Sequence, residues 1–579
     1  MIVESNTAVP MRDGVLLRAD VYRPEGGGKV PAVLGRTPYD RAFGPTLPAI
    51  LDPERTVEAG IALVCMDVRG RHGSDGEFHP FRAERADGYD SVEWVAAQEW
   101  CSGAVAMAGR SYTAATQWLA AAAQPPHLRA IVPIAIGSNY FDGWVYQGGA
   151  FQLGFNLFWV QIMAGRGKRV RMEEQYRHLP LASAPLLEQC PSGHFYREWL
   201  EHSVLDDYWR ALSIDAGYGE VRVPAFNVGG WYDIFLGGTL ENFTRMRAEG
   251  GSEPARTHTR LLVGPWAHGS TYGAYPDHSF KAFAPQDGVD VLAAQLEFLS
   301  EQLFVGESEP EPEPERERAR ELGHESTRKQ VEPVAPVRIF VMGENVWRDE
   351  QEWPLRRAVA QQWFLHSEGE AAQVGGTLSE RAPDAEPPDS YVYDPADPAP
   401  TVGGPTSLPA AFMRTNSGPM DQRGVEQRED VLVYTSAALG RPLEVTGPLT
   451  VVLYAASSAP DTDFLAKLSD VDPDGFSRIL AEGIVRARYR DGYERPVAIE
   501  PERVYRYTID LVATSNLFLA GHRVRLAITS SSFPRFDRNP NTGRTLGEDG
   551  PGDLRSATQR VLHDCDHASH IVLPVVPHG

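Results

Sequence analysis

The sequence lacks an excess of positive charge and any long apolar run. Lys and Arg number 55 against 78 Asp and Glu, so the formal net charge is -23 at pH 7. Phosphate groups require a basic surface, and this balance therefore disfavours a nucleic-acid partner and an anionic membrane surface. No apolar run reaches the roughly 18 residues that a membrane-spanning helix needs. We expect neither a nucleic-acid nor a membrane partner.

Cysteines and targeting signals are equally scarce. The chain has 4 cysteines, which are scattered and form no C-x-x-C pair, so reduced thiols are expected rather than a disulfide framework. The opening stretch MIVESNTAVPMRDG has no basic region followed by an apolar core, which a secretory signal would show. These absences predict a cytoplasmic protein.

Short apolar runs alternate with helical patterns in much of the chain. The runs VPAVLGRTPY, IALVCMDVRG and GAVAMAGRS end in turn residues, which is typical of strands buried on both faces of a sheet. Patterns with helical spacing separate these runs. The alternation predicts an α/β domain with a largely parallel sheet, over residues 1–139 and again over 226–357.

Three other segments have different patterns. Residues 140–225 contain aromatic-rich amphipathic helix patterns without a buried strand, which predicts a helical cap inserted into the α/β domain. Residues 306–333 are dense in charge and proline, and we expect a mobile surface loop there. Residues 358–579 contain short alternating strands separated by Gly, Pro, Asp and Asn, which predicts a jelly-roll β-sandwich.

Ser111 is a candidate nucleophile within AVAMAGRSYTAATQW. It follows a strand pattern and precedes a helix pattern, the position of the nucleophile on an α/β sheet. A serine that only caps the helix is the alternative. Thr113 stands where the G-x-S-x-G pattern has glycine, and this predicts a first helical turn that stands slightly off the neighbouring strand.

An acid and a base candidate follow Ser111 in the order that a Ser-Asp-His triad requires on this fold. Asp233 ends a strand pattern in FNVGGWYDIF, and His268 ends another in LLVGPWAHGS. Each could instead be an ordinary turn residue. Because type, order and strand-end position agree for all three residues, we interpret them as the nucleophile, acid and base of a hydrolase.

The sequence resembles the cocaine-esterase-like (CocE/NonD) branch of the X-prolyl dipeptidyl-peptidase superfamily of serine hydrolases. The resemblance covers almost the whole chain apart from the charged loop. The matching segments are RTPYDR (36–41), MDVRGRHGSDGEF (66–78), DGYDSVEWVAAQEWCSG, GRSY, GGWYDIF, GPWAHG, IFVMGENVWRDEQEWP, GPMDQR (418–423) and DTDFLAKLSDVDPDG (461–475). The resemblance implies an α/β-hydrolase domain with an inserted helical cap and a C-terminal jelly-roll domain.

The same resemblance implies roles for further residues. Tyr39 in RTPYDR is similar to the tyrosine that donates its hydroxyl to the oxyanion, and the backbone N–H of Tyr112 would be the second donor. Trp144, Trp159 and Phe235 resemble residues that line an acyl pocket, although packing in the cap core would also explain these aromatic residues. We therefore expect a carboxylesterase-type hydrolase that uses no cofactor and acts on a small ester, with an aromatic acyl group as one option.

Several alternatives stay open at this point. An X-prolyl dipeptidyl peptidase or another amide or amino-acid ester hydrolase is the first, although Ala114 stands where relatives that recognise an ammonium group have a carboxylate. An inactive hydrolase that binds carbohydrate is a remote second. Some relatives self-associate through strand edges, which leaves a homodimer open.

One histidine-rich segment gives a weak metal signal. HDCDHASH at 563–570 would place His563, Cys565 and His567 on one face of an extended strand, as in some zinc sites. The segment offers no fourth ligand, and the resembled family uses no metal. We therefore expect no metal ion in this protein.

Overall fold

Two large β-sheets organise the chain. The computed structural model describes residues 1–42, 51–164, 170–190, 193–268, 273–280, 289–304, 334–408 and 416–577. The charged segment predicted as a mobile loop, 306–333, lies outside these residues. GGPTSLPAAF (403–412), a loop of the C-terminal domain that we expect to close the site, is described only for residues 403–408.

The first sheet is mixed, with a parallel centre. Its strands, together with one short hairpin, are β1 (Ile2–Pro10), β2 (Leu16–Arg23), β3 (Val30–Thr37), β4 (Ala62–Asp67), β5 (Cys101–Arg110), β6 (Leu128–Ile134), β7 (Tyr146–Gln147), β8 (Ala150–Phe151), β9 (Phe226–Tyr232), β10 (Arg260–Ala267), β11 (Val337–Val341) and β12 (Val346–Glu350). The order in the sheet is β1-β2-β4-β3-β5-β6-β9-β10-β11-β12, and β7 and β8 form a separate two-stranded sheet. Every residue of β4 and β9 is buried, because helices cover both faces of the sheet.

Helices pack on this sheet and form the cap. They are α1 (Pro53–Glu58), α2 (Glu84–Ala96), α3 (Tyr112–Ala122), α4 (Leu153–Met163), α5 (Met172–Arg177), α6 (Pro185–Gln189), α7 (His194–Glu201), α8 (Asp207–Leu212), α9 (Leu236–Glu249), α10 (Glu253–Thr257), α11 (Val291–Leu303) and, in the β domain, α12 (Arg423–Glu426). Helices α4 to α8 lie between β8 and β9 and form the helical cap. Within the described ranges no helix is long and apolar enough to cross a membrane.

The C-terminal domain is almost entirely β. Its strands are β13 (Val359–His366), β14 (Gly376–Ser379), β15 (Asp389–Tyr393), β16 (Leu432–Thr435), β17 (Leu443–Ser457), β18 (Asp463–Val471), β19 (Ser477–Arg486), β20 (Tyr505–Phe518), β21 (Arg523–Thr529), β22 (Ala557–Leu562) and β23 (His570–Val576). They join in the order β15-β22-β17-β23-β13-β14-β16-β21-β18-β19, with β20 on β17. The predicted fold class, an α/β-hydrolase domain with a helical cap and a jelly-roll domain, is confirmed.

The jelly-roll domain contacts the first sheet beside the end of β9. The Tyr232 hydroxyl donates to the Ile479 carbonyl at 3.2 Å. The backbone of Met342, directly after β11, exchanges hydrogen bonds with Ser515 and Leu517 of β20. The first of these contacts holds Tyr232, the residue directly before Asp233.

Candidate active site

The four residues predicted to carry the chemistry follow four strands of the first sheet. Tyr39 comes two residues after β3, and Ser111, Asp233 and His268 directly follow β5, β9 and β10. These strands are parallel and lie close together in the sheet order. The carboxyl ends of parallel strands share one edge of a sheet, and ligand sites form there. The fold therefore brings the four side chains to one edge.

Ser111 lies on a sharp turn between β5 and α3. Its backbone has φ 59° and ψ -128°, a conformation that costs a non-glycine residue roughly 1–3 kcal/mol. Ser111 occupies the N-cap position of α3, but its side chain makes no capping hydrogen bond. The Ser111 hydroxyl therefore does not cap the helix, and it is free to bond to another partner.

Gly109 leaves room for the Thr113 side chain in this turn. Gly109 has φ 149°, and an added Cβ there would lie 2.2 Å from Cγ2 of Thr113. The missing side chain of Gly109 thus provides the space that a glycine at position 113 would otherwise provide. A Gly109→Ala substitution would force this contact apart.

Ser111, His268 and Asp233 form a hydrogen-bonded chain. Nε2 of His268 lies 3.1 Å from Oγ of Ser111. Nδ1 of His268 lies 3.2 Å from Oδ1 and 3.1 Å from Oδ2 of Asp233. Ser111 and Asp233 are buried, and the His268 side chain is 12% exposed. The backbone N–H of Phe235 donates to Oδ1 of Asp233 at 2.8 Å and orients the carboxylate.

The Tyr39 hydroxyl lies beside Ser111. The Ser111 side chain and the Tyr112 backbone are close enough to act on its electrostatics. The indole N–H of Trp159 donates to the same oxygen at 3.1 Å. Burial raises the pKa of Tyr39, with these contacts acting in the opposite direction, so the phenol keeps its proton at neutral pH. A protonated hydroxyl beside Ser111 can donate to an oxyanion.

The hydroxyl of Tyr112 is held by Glu84, which forms a buried ion pair with Arg36. Its hydroxyl donates to Oε1 of Glu84 at 2.9 Å and accepts from the backbone N–H of Phe81 at 2.8 Å. Nη1 of Arg36 lies 2.7 Å from Oε2 of Glu84, and both side chains are buried. Arg36 precedes Tyr39 by three residues, so this pair connects the segments that carry both predicted oxyanion donors.

Two aromatic rings contact His268, and a third aromatic ring packs on both of them. Phe235 has its ring centroid 5.0 Å from the His268 ring, and Trp144 stacks on Phe235 at 5.0 Å. Phe155 of α4 contacts Trp144, Phe235 and His268, with ring centroids 5.3, 5.5 and 6.4 Å away. Sequence reasoning missed Phe155. Its spacing of four residues from Trp159 on one helix is the signal that could have found it.

Trp159 lies on the other side of Tyr112. It stacks on the Tyr112 ring at a centroid distance of 5.9 Å and on Trp199 at 5.8 Å. Trp159 is buried, and its N–H is used on Tyr39. The structure therefore places this predicted pocket residue where it also orients the Tyr39 hydroxyl.

A loop of the jelly-roll domain reaches the cap near this site. An added Cβ on Gly154 would lie 2.2 Å from Cδ2 of Leu408 and 2.7 Å from the carbonyl oxygen of Pro534. Leu408 belongs to the loop 403–412, of which the structure describes residues 403–408. The jelly-roll domain thus packs on the N-terminal turn of α4, next to Phe155.

In the histidine-rich segment 563–570, the structure does not bring His563, Cys565 and His567 together as metal ligands. His563 is buried, with Nε2 at 2.9 Å from Asp389 and Nδ1 at 3.1 Å from Glu386. Both ring nitrogens of His563 are thus occupied by carboxylates, while Cys565 is exposed. The ring of His563 is a structural element of the jelly-roll domain.

A serine on a strained strand-to-helix turn, bonded to a histidine and an aspartate at neighbouring strand ends, defines a serine hydrolase of the α/β-hydrolase class. Comparison with known families agrees: residues 13–270 match the model described as X-Pro dipeptidyl-peptidase (S15 family), and residues 329–572 match the X-Pro dipeptidyl-peptidase C-terminal non-catalytic domain. Cocaine esterase of Rhodococcus sp. is 36% identical over 602 residues, covering 99% of this chain and 98% of that protein. The chain belongs to the CocE/NonD family, the cocaine-esterase-like branch of the X-prolyl dipeptidyl-peptidase superfamily.

Solved structures with different named activities share the whole architecture. An aminopeptidase from a Thaumarchaeota archaeon is 25% identical with a TM-score of 0.83, covering 100% of this chain and 96% of that one. An α-amino acid ester hydrolase is 27% identical with a TM-score of 0.82, covering 99% of this chain and 96% of that one. Since names in this group include ester and peptide hydrolases, the substrate must be argued from this chain's own residues.

The buried Arg36–Glu84 pair leads to a prediction about stability. Arg36→Leu leaves Glu84 in the interior without its cation, so we expect the free energy of unfolding to fall by about 3–5 kcal/mol. Urea denaturation measures the change. Arg171→Leu is the matched control, because the Arg171–Glu174 pair is largely exposed (85% and 59%) and should cost less than about 1 kcal/mol. Equal losses in the two variants would contradict the prediction.

Proposed function

We propose that this chain hydrolyses carboxylic esters of small molecules through an acyl-enzyme intermediate on Ser111. The observation that carries the proposal is the hydrogen-bonded chain from Oγ of Ser111 through His268 to Asp233, on a strained turn. His268 takes the Ser111 proton as the oxygen attacks the ester carbonyl, and then gives that proton to the departing alcohol. Asp233 holds the imidazole with its proton on Nδ1 and stabilises the imidazolium.

The oxyanion of the tetrahedral intermediate is stabilised by two donors. The donors are the Tyr39 O–H and the backbone N–H of Tyr112, the residue after Ser111, and a substrate carbonyl oxygen would bind between them. Water then attacks the acyl-enzyme, with His268 as general base, and the acid product leaves. Phe235, Trp144 and Phe155 form an aromatic wall beside His268, which suits an apolar or aromatic acyl group.

A substrate panel tests the ester assignment. The purified chain is assayed on p-nitrophenyl acetate, p-nitrophenyl benzoate and Ala-Pro-p-nitroanilide. We expect hydrolysis of the esters, with a higher kcat/KM for them than for the peptide anilide. A faster reaction on Ala-Pro-p-nitroanilide would instead support an X-prolyl dipeptidyl peptidase, the second candidate, which the description of the matching family favours.

Two other candidates receive less support from this chain. The carboxylate that would recognise an amino-acid ester three residues after Ser111 is replaced by the buried Ala114. A binding protein without activity would not label with a fluorophosphonate probe, whereas the hydrogen bond between Ser111 and His268 predicts a covalent adduct on Ser111.

Tyr39→Phe tests the oxyanion assignment. The phenylalanine keeps the ring and removes only the donor, so we expect kcat/KM for p-nitrophenyl esters to fall by about 10²–10³-fold, mostly in kcat. Steady-state kinetics measure the split between kcat and KM. Tyr454→Phe, a half-buried tyrosine of the jelly-roll strand β17, is the matched control and should leave both constants unchanged. A loss below threefold in Tyr39→Phe would remove Tyr39 from the mechanism.

A further inference from the structure

A second cluster of ligating side chains lies where the cap meets the hydrolase domain, away from Ser111. His79 lies in the segment that precedes α2, and His194 and Glu198 lie on α7. One ligand atom from each of the three residues lies within 4.8 Å of the other two. His79 is more than a hundred residues before the other two in the sequence, so no short motif contains all three.

The geometry of the three side chains is close to that of a metal site. His194 and Glu198 are four residues apart on α7 and therefore project from one face of the helix. Nε2 of His79 lies 3.1 Å from the Glu198 carboxylate, and the His79 and His194 rings are 5.1 Å apart. Ligand atoms at about 2.0–2.2 Å from a tetrahedral zinc ion are roughly 3.3–3.5 Å from one another.

We propose that His79, His194 and Glu198 bind a Zn²⁺ ion, with water as the remaining ligand. Two imidazoles and one carboxylate suit zinc and its neighbours in the first transition series, whereas Mg²⁺ and Ca²⁺ prefer oxygen ligands. The formal net charge of -23 raises the local concentration of any cation near the surface. Three protein ligands leave one tetrahedral position open, which makes the ion exchangeable.

Arg82 competes with the ion for the Glu198 carboxylate, and we expect it to lower the affinity for Zn²⁺. The guanidinium of Arg82 lies 2.9 Å from Oε2 of Glu198, and the Tyr208 hydroxyl lies 3.4 Å from the same oxygen. An ion that binds through Oε1 must share the carboxylate with Arg82. Arg82→Gln removes the competing charge, and we expect this variant to bind Zn²⁺ more tightly than the unaltered chain.

The ion would fasten the cap to the segment that supports Tyr112. Phe78, next to His79, packs on Tyr112 at 5.9 Å and on Phe195 at 6.5 Å between ring centroids. Phe195 follows His194 and packs on Trp159 at 5.1 Å. A ligand that binds only the folded state stabilises it, so Zn²⁺ should raise the melting temperature of the chain.

The test uses the full chain after treatment with a chelator. Zn²⁺ is added in a calorimetric titration and in a thermal melt, and Co²⁺ is added to observe the visible absorption of a tetrahedral site. We expect one high-affinity equivalent in the unaltered chain. His194→Ala and Glu198→Gln should each weaken Zn²⁺ binding by about tenfold or more and remove the rise in melting temperature.

Two control variants separate this site from other ligands. His258→Ala removes an exposed histidine elsewhere and should leave Zn²⁺ binding unchanged. Cys565→Ser alters the segment Asp564–Asp566, where ligand atoms also converge, and should likewise change nothing. The proposal is overturned if no saturable binding occurs, if His194→Ala and Glu198→Gln bind as tightly as the unaltered chain, or if Cys565→Ser abolishes binding.

Discussion

Ser111→Ala is expected to reduce kcat/KM for p-nitrophenyl esters by about 10⁶-fold, to the level set by the oxyanion donors and binding alone. The variant removes the attacking oxygen that lies 3.1 Å from Nε2 of His268, so no acyl-enzyme can form. The hydroxyl makes no capping bond at the start of α3, and its loss should therefore leave the helix and the melting temperature intact.

Two measurements check this prediction together. Steady-state hydrolysis gives the rate loss, and mass spectrometry after fluorophosphonate treatment locates the covalent adduct. Ser102→Ala is the matched control, because Ser102 is an exposed serine at the other end of β5. Ester hydrolysis within tenfold of the unaltered chain in Ser111→Ala, or an adduct on another serine, would exclude Ser111 as the nucleophile.

The sequence was most informative where the fold leaves little freedom. A buried parallel strand ends at a fixed edge of its sheet, so Ser111, Asp233 and His268 could be assigned to one edge from three apolar runs and the turns after them. The order Ser-Asp-His further restricted the choice among 16 histidines. The division into two domains was also predictable. Strand patterns alternate with helical patterns before about residue 358, and short strand patterns follow one another after it.

Contacts that depend on tertiary packing were not predictable. The Arg36–Glu84 pair next to Tyr112 joins a strand end to a helix start, and the strand pattern around Arg36 does not identify Glu84 as its partner. The hydrogen bond from the Trp159 N–H to the Tyr39 hydroxyl depends on how the cap packs against the sheet. Side-chain convergence between distant segments is decided by packing, which apolar periodicity does not encode.

Asp233→Asn is expected to lower kcat by about 10⁴-fold while leaving the fold intact. The backbone N–H of Phe235 donates to Oδ1 of Asp233 at 2.8 Å. An asparagine would keep its carbonyl oxygen on this N–H, and its NH₂ group would then face Nδ1 of His268. Because an NH₂ group can only donate, Nδ1 must become the acceptor and the ring proton must move to Nε2.

The altered tautomer explains the size of the effect. Nε2 carries a proton in that form and can no longer accept the proton of Ser111, even though the distance between the two atoms is unchanged. We expect KM to change little, since Asp233 is buried behind His268 and does not line the acyl pocket. Asp397→Asn, at an exposed carboxylate of the jelly-roll domain, is the control and should have no effect.

The pattern of labelling separates a wrong tautomer from a damaged site. In Asp233→Asn the Ser111 hydroxyl and both oxyanion donors stay in place, so a fluorophosphonate should still label Ser111, only far more slowly. Loss of labelling together with a lower melting temperature would indicate unfolding of the β9 end instead. A kcat within tenfold of the unaltered chain would show that Asp233 does not hold the histidine, and the acid would have to be sought among other carboxylates at the same edge.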